Sequence, residues 1–317
     1  IAGFGNIDIG DTLSFCPEGE RLPFVEIDPP TIQMEFSVND GPLAGKDGKK
    51  VTSRQIKERL EREIQSNISI SLEEAPESTR FLVNARGSMQ IAVLVETMRR
   101  EGFELPVGKP QVIYKEIEGK KCEPMETLVI DVPAEFSGKA IDLVTQRKGD
   151  MLVMEPKGDL QHLEFDIPSR GLIGLRNNML TSTSGQAVMS HRFKEFKAFK
   201  GNVPSRLKGS LISSEQGPAT PFALNRLQDR GRFFVGPADV IYKGQVIGEH
   251  SRDNDLPVNP TKAKQLTNIR AAGTDENLIL TPHINHSLEQ ALEFIEEDEL
   301  VEVTPSHLRL RKKDFTF

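Results

Sequence analysis

Cysteine is nearly absent from the chain, which has only Cys16 and Cys122 among its 317 residues. Two such distant cysteines provide neither a disulfide framework nor the ligand spacing of a zinc site, and they suit a reducing compartment. No apolar run approaches the ~20 residues that a membrane-spanning helix needs. The sequence also opens without an initiator methionine or a signal peptide. These absences predict a soluble, cytoplasmic, globular protein, of which this sequence is a piece.

Motifs that mark catalytic and metal sites are missing as well. The segment 40–50 (DGPLAGKDGKK) fails as a phosphate loop, because only three residues separate Gly41 from Gly45 and no serine or threonine follows the lysine. His283 and His286 have a spacing that suits a metal pair, but no cysteine lies nearby, and we expect structural or surface histidines. No G-x-S-x-G turn occurs. We therefore predict no catalytic residue, metal site or cofactor in this sequence, and we interpret 40–50 as an exposed connecting loop.

Positive charge is concentrated in one part of an otherwise acidic chain. The net charge is −7, yet residues 197–272 contain 12 basic and 6 acidic residues. Within this part, 251–273 is rich in proline, asparagine and aspartate and has almost no large apolar residue, which predicts a loop. A local excess of this kind attracts phosphates within a Debye length of ~8 to 10 Å, whatever the sign of the total charge.

The basic loop predicts an RNA-binding surface. Lysine and arginine can follow a phosphate backbone, asparagine can hydrogen-bond to it, and no aromatic residue lies between 251 and 272 to stack an unpaired base. This combination favours a structured RNA that is recognised by shape and charge. The predicted contact residues are Arg252, Lys262, Lys264, Arg270, Asn254, Asn259, Asn268, Arg206 and Lys208. The alternative is an ordinary solvated loop, and a second RNA candidate, the glycine-rich run 170–176, can equally be a tight strand-to-helix turn.

The hydrophobic pattern predicts the order β-α-β-β-α-β twice. In the first half we predict strands over 24–38, 68–72, 80–85 and 107–117, and helices that begin at a Thr52 capping box and at Ser88. In the second half we predict strands over 125–132, 151–156, 161–168 and 186–193, and helices over 137–147 and 172–180. Shorter elements follow: a helix over 222–227, strands over 233–235 and 246–249, and a helix that begins at a Ser287 capping box. Both halves predict a split βαβ arrangement, with two helices on one face of a four-stranded antiparallel sheet.

Several stretches resemble the translational GTPases. IAGFGNIDIGDTL resembles the last strands of their β-barrel second domain. PPTIQMEFSVNDGPLAG, TSRQIKERLEREIQSNISISLEE and GKPQVIYKE resemble domain III of elongation factor G relatives, and EPMETLVIDVPAEFSGKAIDLVTQRKGDM resembles domain V. VGPADVIYKGQVIGEHSRDNDLPVNPTKAKQLTNIRAAGTDENLIL and LEQALEFIEEDELVEVTP resemble the C-terminal domain of the bacterial BipA/TypA GTPases, which lack domain IV. Pro257 and the Pro260-Thr261 pair depart locally from close relatives.

The resemblance implies an α+β chain of four parts. These are a domain II remnant over 1–20, a ferredoxin-like domain III over 21–119, a ferredoxin-like domain V over 120–196, and a mixed, mainly β, RNA-binding domain over 197–317. It also implies that GTP and Mg²⁺ bind a GTPase domain outside this sequence, so that this chain is not itself an enzyme.

The implied partners belong to translation. Family members are expected at the factor site of the 70S ribosome, in translation regulation or large-subunit assembly under stress. The resemblance implies contact of 251–271 with rRNA and the acceptor end of A-site tRNA, docking on ribosomal proteins, no membrane partner and a monomeric state.

Two other function classes stay open on the residues alone. Paired ferredoxin-like domains can hold a small molecule between their sheets, and a metabolite-induced melting shift without ribosome affinity would favour such a sensor. A hydrolase that uses His283 and His286 would require bound metal.

Overall fold

The computed structural model describes residues 12–15, 22–23, 29–74, 79–203, 206, 208–263 and 279–315. The predicted domain II remnant lies largely outside the described residues. The described residues belong to two compact units. The first unit lies within Ile1–Val38, Lys50–Leu94 and Pro110–Val203, and the second lies within Asn39–Lys49, Val95–Lys109 and Pro204–Phe317. Each unit contains sheet and helix, so the fold is a mixed α and β one.

Helices and strands are interspersed along the whole chain. The elements before residue 119 are β1 Ile32–Ser37, α1 Ser53–Ser66, β2 Ser71–Glu74, β3 Arg80–Ala85, α2 Ser88–Arg100, β4 Leu105–Gly108, β5 Gln111–Val112 and β6 Lys115–Ile117. Those that follow, up to residue 198, are β7 Lys120–Pro133, α3 Ser137–Gln146, β8 Asp150–Lys157, β9 Leu160–Pro168, α4 Ser169–Leu172, α5 Leu175–Ser182 and β10 Val188–Ala198. The remainder are β11 Ser210–Ser213, β12 Gly217–Pro218, α6 Pro221–Leu227, β13 Gly231–Phe233, β14 Val240–Ile241, β15 Gln245–His250, β16 Leu256–Val258, α7 Leu288–Phe294, β17 Glu299–Val303 and β18 Leu308–Lys312.

Both predicted capping boxes are present. The Thr52 hydroxyl accepts from the backbone N–H of Gln55, whose side chain accepts from the backbone of Thr52, and α1 follows. Ser287 and Gln290 make the same reciprocal pair at the start of α7. Each box satisfies two backbone N–H groups that a helix terminus would otherwise leave without a partner. Local sequence therefore determines where these helices begin.

One sheet of the first unit has the strand order β10–β7–β9–β8, with every neighbouring pair antiparallel. Alternate residues of β7 and β9 point into one core, which they share with residues of α3 and α5. That core contains Leu128, Ile130, Val132, Ala140, Val144, Leu163, Phe165, Ile167, Leu175 and Met179. The opposite face is polar, where His162 Nδ1 lies 2.6 Å from Asp131 Oδ1. Two helices thus cover one face, in the predicted order of elements.

A second group of strands in the first unit comes from residues 32–112. Strand β3 pairs antiparallel with both β1 and β2, and β5 pairs with the start of β1. The predicted strand over 24–38 is shorter, because β1 begins at Ile32, after Pro29 and Pro30, while residues 24–28 lie outside the described chain.

Two predicted elements are divided in the structure. The segment 107–117, predicted as one strand, contributes to β4, β5 and β6, and the break between β4 and β5 lies at Pro110, which has no backbone N–H with which to continue a ladder. The predicted helix over 172–180 becomes α4 and α5, separated at Gly174, whose φ of 70° lies in the left-handed region. Both corrections have a backbone cause at a single proline or glycine.

The second unit is organised by a sheet with the order β16–β11–β15–β18–β17–β4. Strand β4 comes from the middle of the sequence and pairs antiparallel with β17, with Val107 opposite Val301. Strand β16 forms the other end of this order and runs parallel to β11. Leu211, Ile241 and Ile247 belong to the core beside the sheet. Residues far apart in sequence therefore complete one unit.

The segment 39–49 of the second unit folds around an internal carboxylate. Glu104, which is fully buried, accepts hydrogen bonds at Oε1 from Asn39 Nδ2 (2.7 Å) and Gly45 N (2.9 Å) and at Oε2 from Gly48 N (2.9 Å). The glycine-rich amides that resemble a phosphate loop therefore bind a side chain of the protein itself. The segment is not the simply exposed loop that we predicted, because its amides are used within the fold.

We predict that Glu104→Ala lowers the free energy of unfolding of the second unit by about 3 kcal/mol, because it leaves buried N–H groups without an acceptor. Urea denaturation followed by circular dichroism measures this change. Glu297→Ala removes an exposed carboxylate of the same unit and should change the stability by less than about 0.5 kcal/mol. Equal stability of the two variants would contradict the assigned role of Glu104.

Candidate nucleic-acid interface

The predicted basic loop is partly a strand. Its described portion, 251–263, contains β16, which pairs with β11 through Leu211–Leu256, Ile212–Pro257 and Ser213–Val258. Proline is acceptable at this position because β16 lies at the edge of the sheet order, where a missing N–H breaks no outer ladder. The composition-based prediction of a loop was therefore wrong for 256–258.

Backbone hydrogen bonds hold the first residues of this segment against β11. Gly209 N donates to Arg252 O at 2.8 Å, and His250 N donates to Gly209 O at 2.8 Å. A Cβ at Gly209 would lie 2.1 Å from Asn254 O, so only glycine allows this approach. Further along, Thr220 Oγ1 donates to Lys262 O at 2.7 Å. The backbone that carries Arg252 and Lys262 is thus fixed to the rest of the second unit.

A buried ion cluster lies beneath the segment. Lys312 Nζ lies 2.6 Å from Asp255 Oδ2, 2.7 Å from Asp298 Oδ2 and 3.0 Å from Glu299 Oε1. The side chain of Lys312 is 3% exposed and that of Glu299 is 0% exposed. Asp255 Oδ1 also accepts from Ser210 N at 2.7 Å, so the cluster binds the segment through Asp255. We call Lys312, Glu299, Asp255, Asp298 and Arg206 the ion cluster.

Burial and charge act in opposite directions on these groups. Burial alone would raise the pKa of Glu299, but Arg206, the Ser210 hydroxyl and Lys312 together hold it below its ordinary value. Burial would likewise lower the pKa of Lys312, whereas the carboxylates of Asp255, Asp298 and Glu299 raise it. Glu299 and Lys312 therefore stay ionised, because each has opposite charges beside it within the fold.

Arg206 belongs to this cluster. Its guanidinium reaches Glu299 Oε2 at 3.1 Å, donates to Phe294 O at 3.1 Å, and lies 4.2 Å from the centroid of the Phe294 ring. Its side chain is only 13% exposed. The sequence predicted Arg206 as an RNA contact, but these partners give it a structural role, and we leave it out of the proposed interface.

The other predicted residues divide into three groups. Arg252 and Lys262 are exposed, and Lys208 is exposed but lies 3.3 Å from Glu249. The amides of Asn254 and Asn259 bond locally, to Asp255 O at 3.2 Å and to Thr261 N at 3.0 Å respectively. Lys264, Asn268 and Arg270 lie outside the described residues.

Two arginines that we did not predict from the sequence, Arg230 and Arg232, lie on the chain segment that pairs with β15. Ser251 N donates to Arg230 O at 2.8 Å, and Arg232 stands opposite Glu249 in the pairing of β13 with β15. Both arginines are exposed. Across the described parts of the chain, no carboxylate lies within 4.0 Å of Arg230, Arg232 or Arg252. We call these three residues the arginine patch, and sequence reasoning missed it because about 20 positions separate Arg232 from Arg252.

The glycine-rich run 170–176 consists of the end of α4, a turn at Ile173 and Gly174, and the start of α5. Arg170 Nη2 donates to Glu123 Oε1 at 3.1 Å and also to Gly201 O, so this guanidinium is neutralised within the first unit. A Cβ at Gly171 would lie 2.8 Å from Arg147 O. Of the two arginines in the run, only Arg176 is exposed. The run therefore offers one cation to a partner.

His283 and His286 do not lie in common surroundings that would suit a metal ion. His286 packs on Phe234 and Phe294, with ring centroids 4.5 and 5.5 Å away, while His283 lies against Gly236. No group of His, Cys, Asp and Glu among the described residues has the arrangement of a metal site. Burial lowers the pKa of His286, against a smaller opposing effect of Glu249, so the ring is neutral at pH 7.

A small cavity of about 170 Å³ lies at the end of α5, lined by Arg176, Met179, Leu180, Ala187, Val188 and Met189. It is formed by one helix and the adjoining strand start, and not by two facing sheets.

No described helix is long and apolar enough to span a bilayer.

Comparison with known proteins gives a consistent result for these domains. Residues 120–207 match a family model described as the elongation factor G C-terminus, and residues 208–316 match one described as the TypA/BipA C-terminal domain. The chain is 48% identical to a protein of Salmonella typhimurium, 47% identical to one of Escherichia coli strain K12 and 46% identical to one of Synechocystis sp., each named "Large ribosomal subunit assembly factor BipA". These alignments cover 98 to 100% of the chain but 52% of each relative, so the chain spans about half their length.

The order of the two matched domains defines the class, a translation-factor-type chain that has the elongation factor G C-terminus followed directly by a second C-terminal domain. That second domain is specific to one family. The chain belongs to the BipA/TypA family and corresponds to its C-terminal part.

We predict that Glu299→Gln lowers the free energy of unfolding of the second unit by about 3 to 5 kcal/mol, because it leaves Arg206 and Lys312 buried without their shared carboxylate. Since folding lowers the pKa of Glu299, its contribution is present above the ordinary carboxyl pKa of about 4.3 and is lost as the pH falls through the folded value. Asp298→Asn removes the more exposed partner of Lys312 and serves as the control, with an expected loss of about 1 kcal/mol or less. Urea titrations of the parent and of both variants at pH 7 and pH 4 measure these losses of stability. Equal losses for Glu299→Gln and Asp298→Asn would contradict the assigned role of Glu299 in the ion cluster.

We also predict a pH effect from His286. Because folding lowers its pKa, the unfolded chain binds the proton more readily, and stability falls as the pH drops through the ordinary histidine value of about 6.5. His286→Phe keeps an aromatic ring and removes this titration. Thermal melts between pH 5 and pH 8 should show a smaller pH slope for the variant than for the parent, whereas identical slopes would exclude His286 as the titrating group.

Proposed function

We propose that the second unit of this chain contacts ribosomal RNA through the arginine patch and the 251–271 segment. The observation that carries the proposal is a set of exposed cations on hydrogen-bonded backbone, with no carboxylate of the described chain within 4.0 Å of the three arginines. Arg230 immediately precedes β13, Arg232 is the middle residue of β13, Arg252 follows β15 by two residues, and Lys262 lies further along the segment. Arginine and lysine on ordered backbone bind phosphates as point charges or bidentate ligands. Lys264 and Arg270 extend the proposed interface by sequence alone.

The relatives' name supplies the setting. Because similar chains are named large ribosomal subunit assembly factors, we infer that the whole protein binds the 70S ribosome or its large subunit in the cytoplasm. The specific partners we propose are rRNA and ribosomal proteins at the factor site and the acceptor end of A-site tRNA. We further propose a role in translation regulation or subunit assembly under stress, as a monomer. GTP hydrolysis, with Mg²⁺, belongs in this proposal to a GTPase domain outside this sequence, and the chain itself is a binding module.

The first unit would position this interface. We interpret the β10–β7–β9–β8 sheet with α3 and α5 as a ferredoxin-like domain V, because the strand order and the placement of both helices on one face fit that arrangement. We interpret β1–β3 with α1 and α2 as the corresponding domain III. In this role the two domains act as rigid spacers, and this part of the proposal rests on analogy with the family.

We predict that Arg252→Glu combined with Lys262→Glu weakens co-sedimentation with 70S ribosomes. If each cation neutralises one phosphate, the double variant should lower the slope of log affinity against log salt by about 1.4 to 1.8. The readout is the bound fraction of the fragment across a salt series from about 50 to 200 mM, the range over which phosphate contacts respond most strongly.

The matched control is Lys46→Glu combined with Lys49→Glu, which makes the same charge change on exposed lysines elsewhere in the second unit. This control should keep the parent slope. If the control loses as much affinity as the interface variant, total charge and not a defined surface governs binding. If both variants bind like the parent, the assignment of the interface is wrong.

A further inference from the structure

The small cavity beside α5 lies between a helix and the start of a strand. Arg176, Met179 and Leu180 line it from one side of α5, at the spacing of successive helical turns. Residues 187–189, which lead into β10, line it from the other side. Met179 is 1% exposed and Val188 is 65% exposed, so the cavity extends from the core of the first unit to its surface.

The turn between α5 and β10 holds the two walls of the cavity together. The hydroxyl of Thr183, which is fully buried, donates to Met179 O at 2.8 Å and accepts from Ala187 N at 3.3 Å. Gly185 N donates to Leu180 O at 2.7 Å. These bonds fix the end of the helix relative to the first residues of the strand. The cavity is therefore formed before any ligand binds, as is usual for small-molecule sites.

The size and the lining of the cavity suit one aromatic ring. Its volume is about 170 Å³, and an apolar protein cavity of about 150 Å³ is large enough to bind benzene. Met179 and Met189 contribute two thioethers to the lining. Methionine sulfur makes favourable contacts with the edges of aromatic rings, and its unbranched side chain adapts to the shape of a ligand. A ligand with a single ring would thus fill the apolar part.

Arg176 gives the cavity a positive charge that the fold does not use. Its side chain is exposed, and no carboxylate of the described chain lies within 4.0 Å of it. It is the second residue of α5, where the helix dipole disfavours a cation. The guanidinium is therefore available to a carboxylate from outside the chain, which it can bind through two parallel hydrogen bonds.

We propose that this cavity binds a small aromatic carboxylate, with its ring beside Met179 and Met189 and its carboxylate on Arg176. Small-molecule sites commonly combine apolar walls with a few polar groups that fix the orientation of the ligand. One ring-sized apolar space beside one uncompensated guanidinium has this composition. The proposal goes beyond RNA contact and does not depend on it, because the ligand binds within the first unit and is measured without RNA.

An NMR titration of the full chain, labelled with ¹³C at the methionine methyl groups, tests the proposal with phenylacetate as the probe. The signals of Met179 and Met189 should shift, while those of the exposed Met151 and Met154 in the same unit should not. We expect a dissociation constant of about 1 mM, in the range open to a ligand of about ten non-hydrogen atoms. Phenylacetamide has the same ring without the charge and should bind about tenfold more weakly.

Two arginine variants separate a defined contact from a general effect of charge. Arg176→Gln should weaken the binding of phenylacetate by about tenfold and remove its advantage over phenylacetamide, because the charge-assisted hydrogen bonds are lost. The matched control is Arg192→Gln, which removes an exposed arginine of β10 outside the cavity and should keep the parent affinity.

A third variant fills the cavity. Leu180→Trp places a larger side chain in the lining and should abolish the binding of both compounds, while the melting curve of the ligand-free variant checks that the fold is intact. The two exposed arginines keep the test decisive even where the Leu180 variant unfolds.

Four results would overturn the proposal. The first is no shift of Met179 and Met189 at phenylacetate concentrations about tenfold above the expected dissociation constant. The second is equal affinity of the parent for phenylacetate and phenylacetamide, and the third is an equal loss in Arg176→Gln and Arg192→Gln. The fourth is much tighter binding of acetyl-alanyl-phenylalanine with a free carboxylate, which would assign the cavity to the C-terminus of a protein instead of a small molecule.

Discussion

The charge balance around Lys312 and Glu299 determines what the second unit can present to a partner. Both side chains are buried, so each must have its counter-charge within the fold. Their shared partners include Arg206, from the segment before β11, and Asp255, from the start of β16. One interior cluster therefore connects strands β11, β16, β17 and β18, and it fixes the backbone from which Arg252 projects. Removal of Glu299 would leave the buried Arg206 and Lys312 without the carboxylate that they share.

A chain with a net charge of −7 can still have a cationic surface, because several of its carboxylates are buried and paired inside the fold. Glu299, Glu302 and Glu104 are fully buried and bind cations or amides inside the second unit. In the described chain, no carboxylate lies within 4.0 Å of the exposed cations of the arginine patch. Backbone hydrogen bonds from Gly209 to Arg252 and from Ser251 to Arg230 hold the segments that carry the patch. Electrostatic interaction with a phosphate depends on this local arrangement of charges and not on the net charge of the chain.

Local signals in the sequence predicted the helices and most strands. The reciprocal bonds of Thr52 with Gln55 and of Ser287 with Gln290 lie within four residues, so a linear reading captures their physics. Pairings between distant residues were not predictable in this way. Val107 meets Val301 across β4 and β17, and Arg230 meets Ser251 across a turn of the sheet. Arg206 has the same charge as Arg252 in the sequence, and only burial against Glu299 separates a structural arginine from an exposed one. Composition also gave no sign that Pro257 lies in a strand, because an edge position makes its missing N–H harmless.

Cross-linking of the ribosome-bound chain to RNA, followed by mass spectrometry of the linked peptides, tests the central claim most directly. The account predicts links at peptides that contain residues 230–232 and 251–263, and none at the buried Arg206. Links confined to peptides outside the second unit, with residues 230–232 and 251–263 unmodified, would contradict the claim. In that case the surface above the ion cluster would not be the RNA-binding surface.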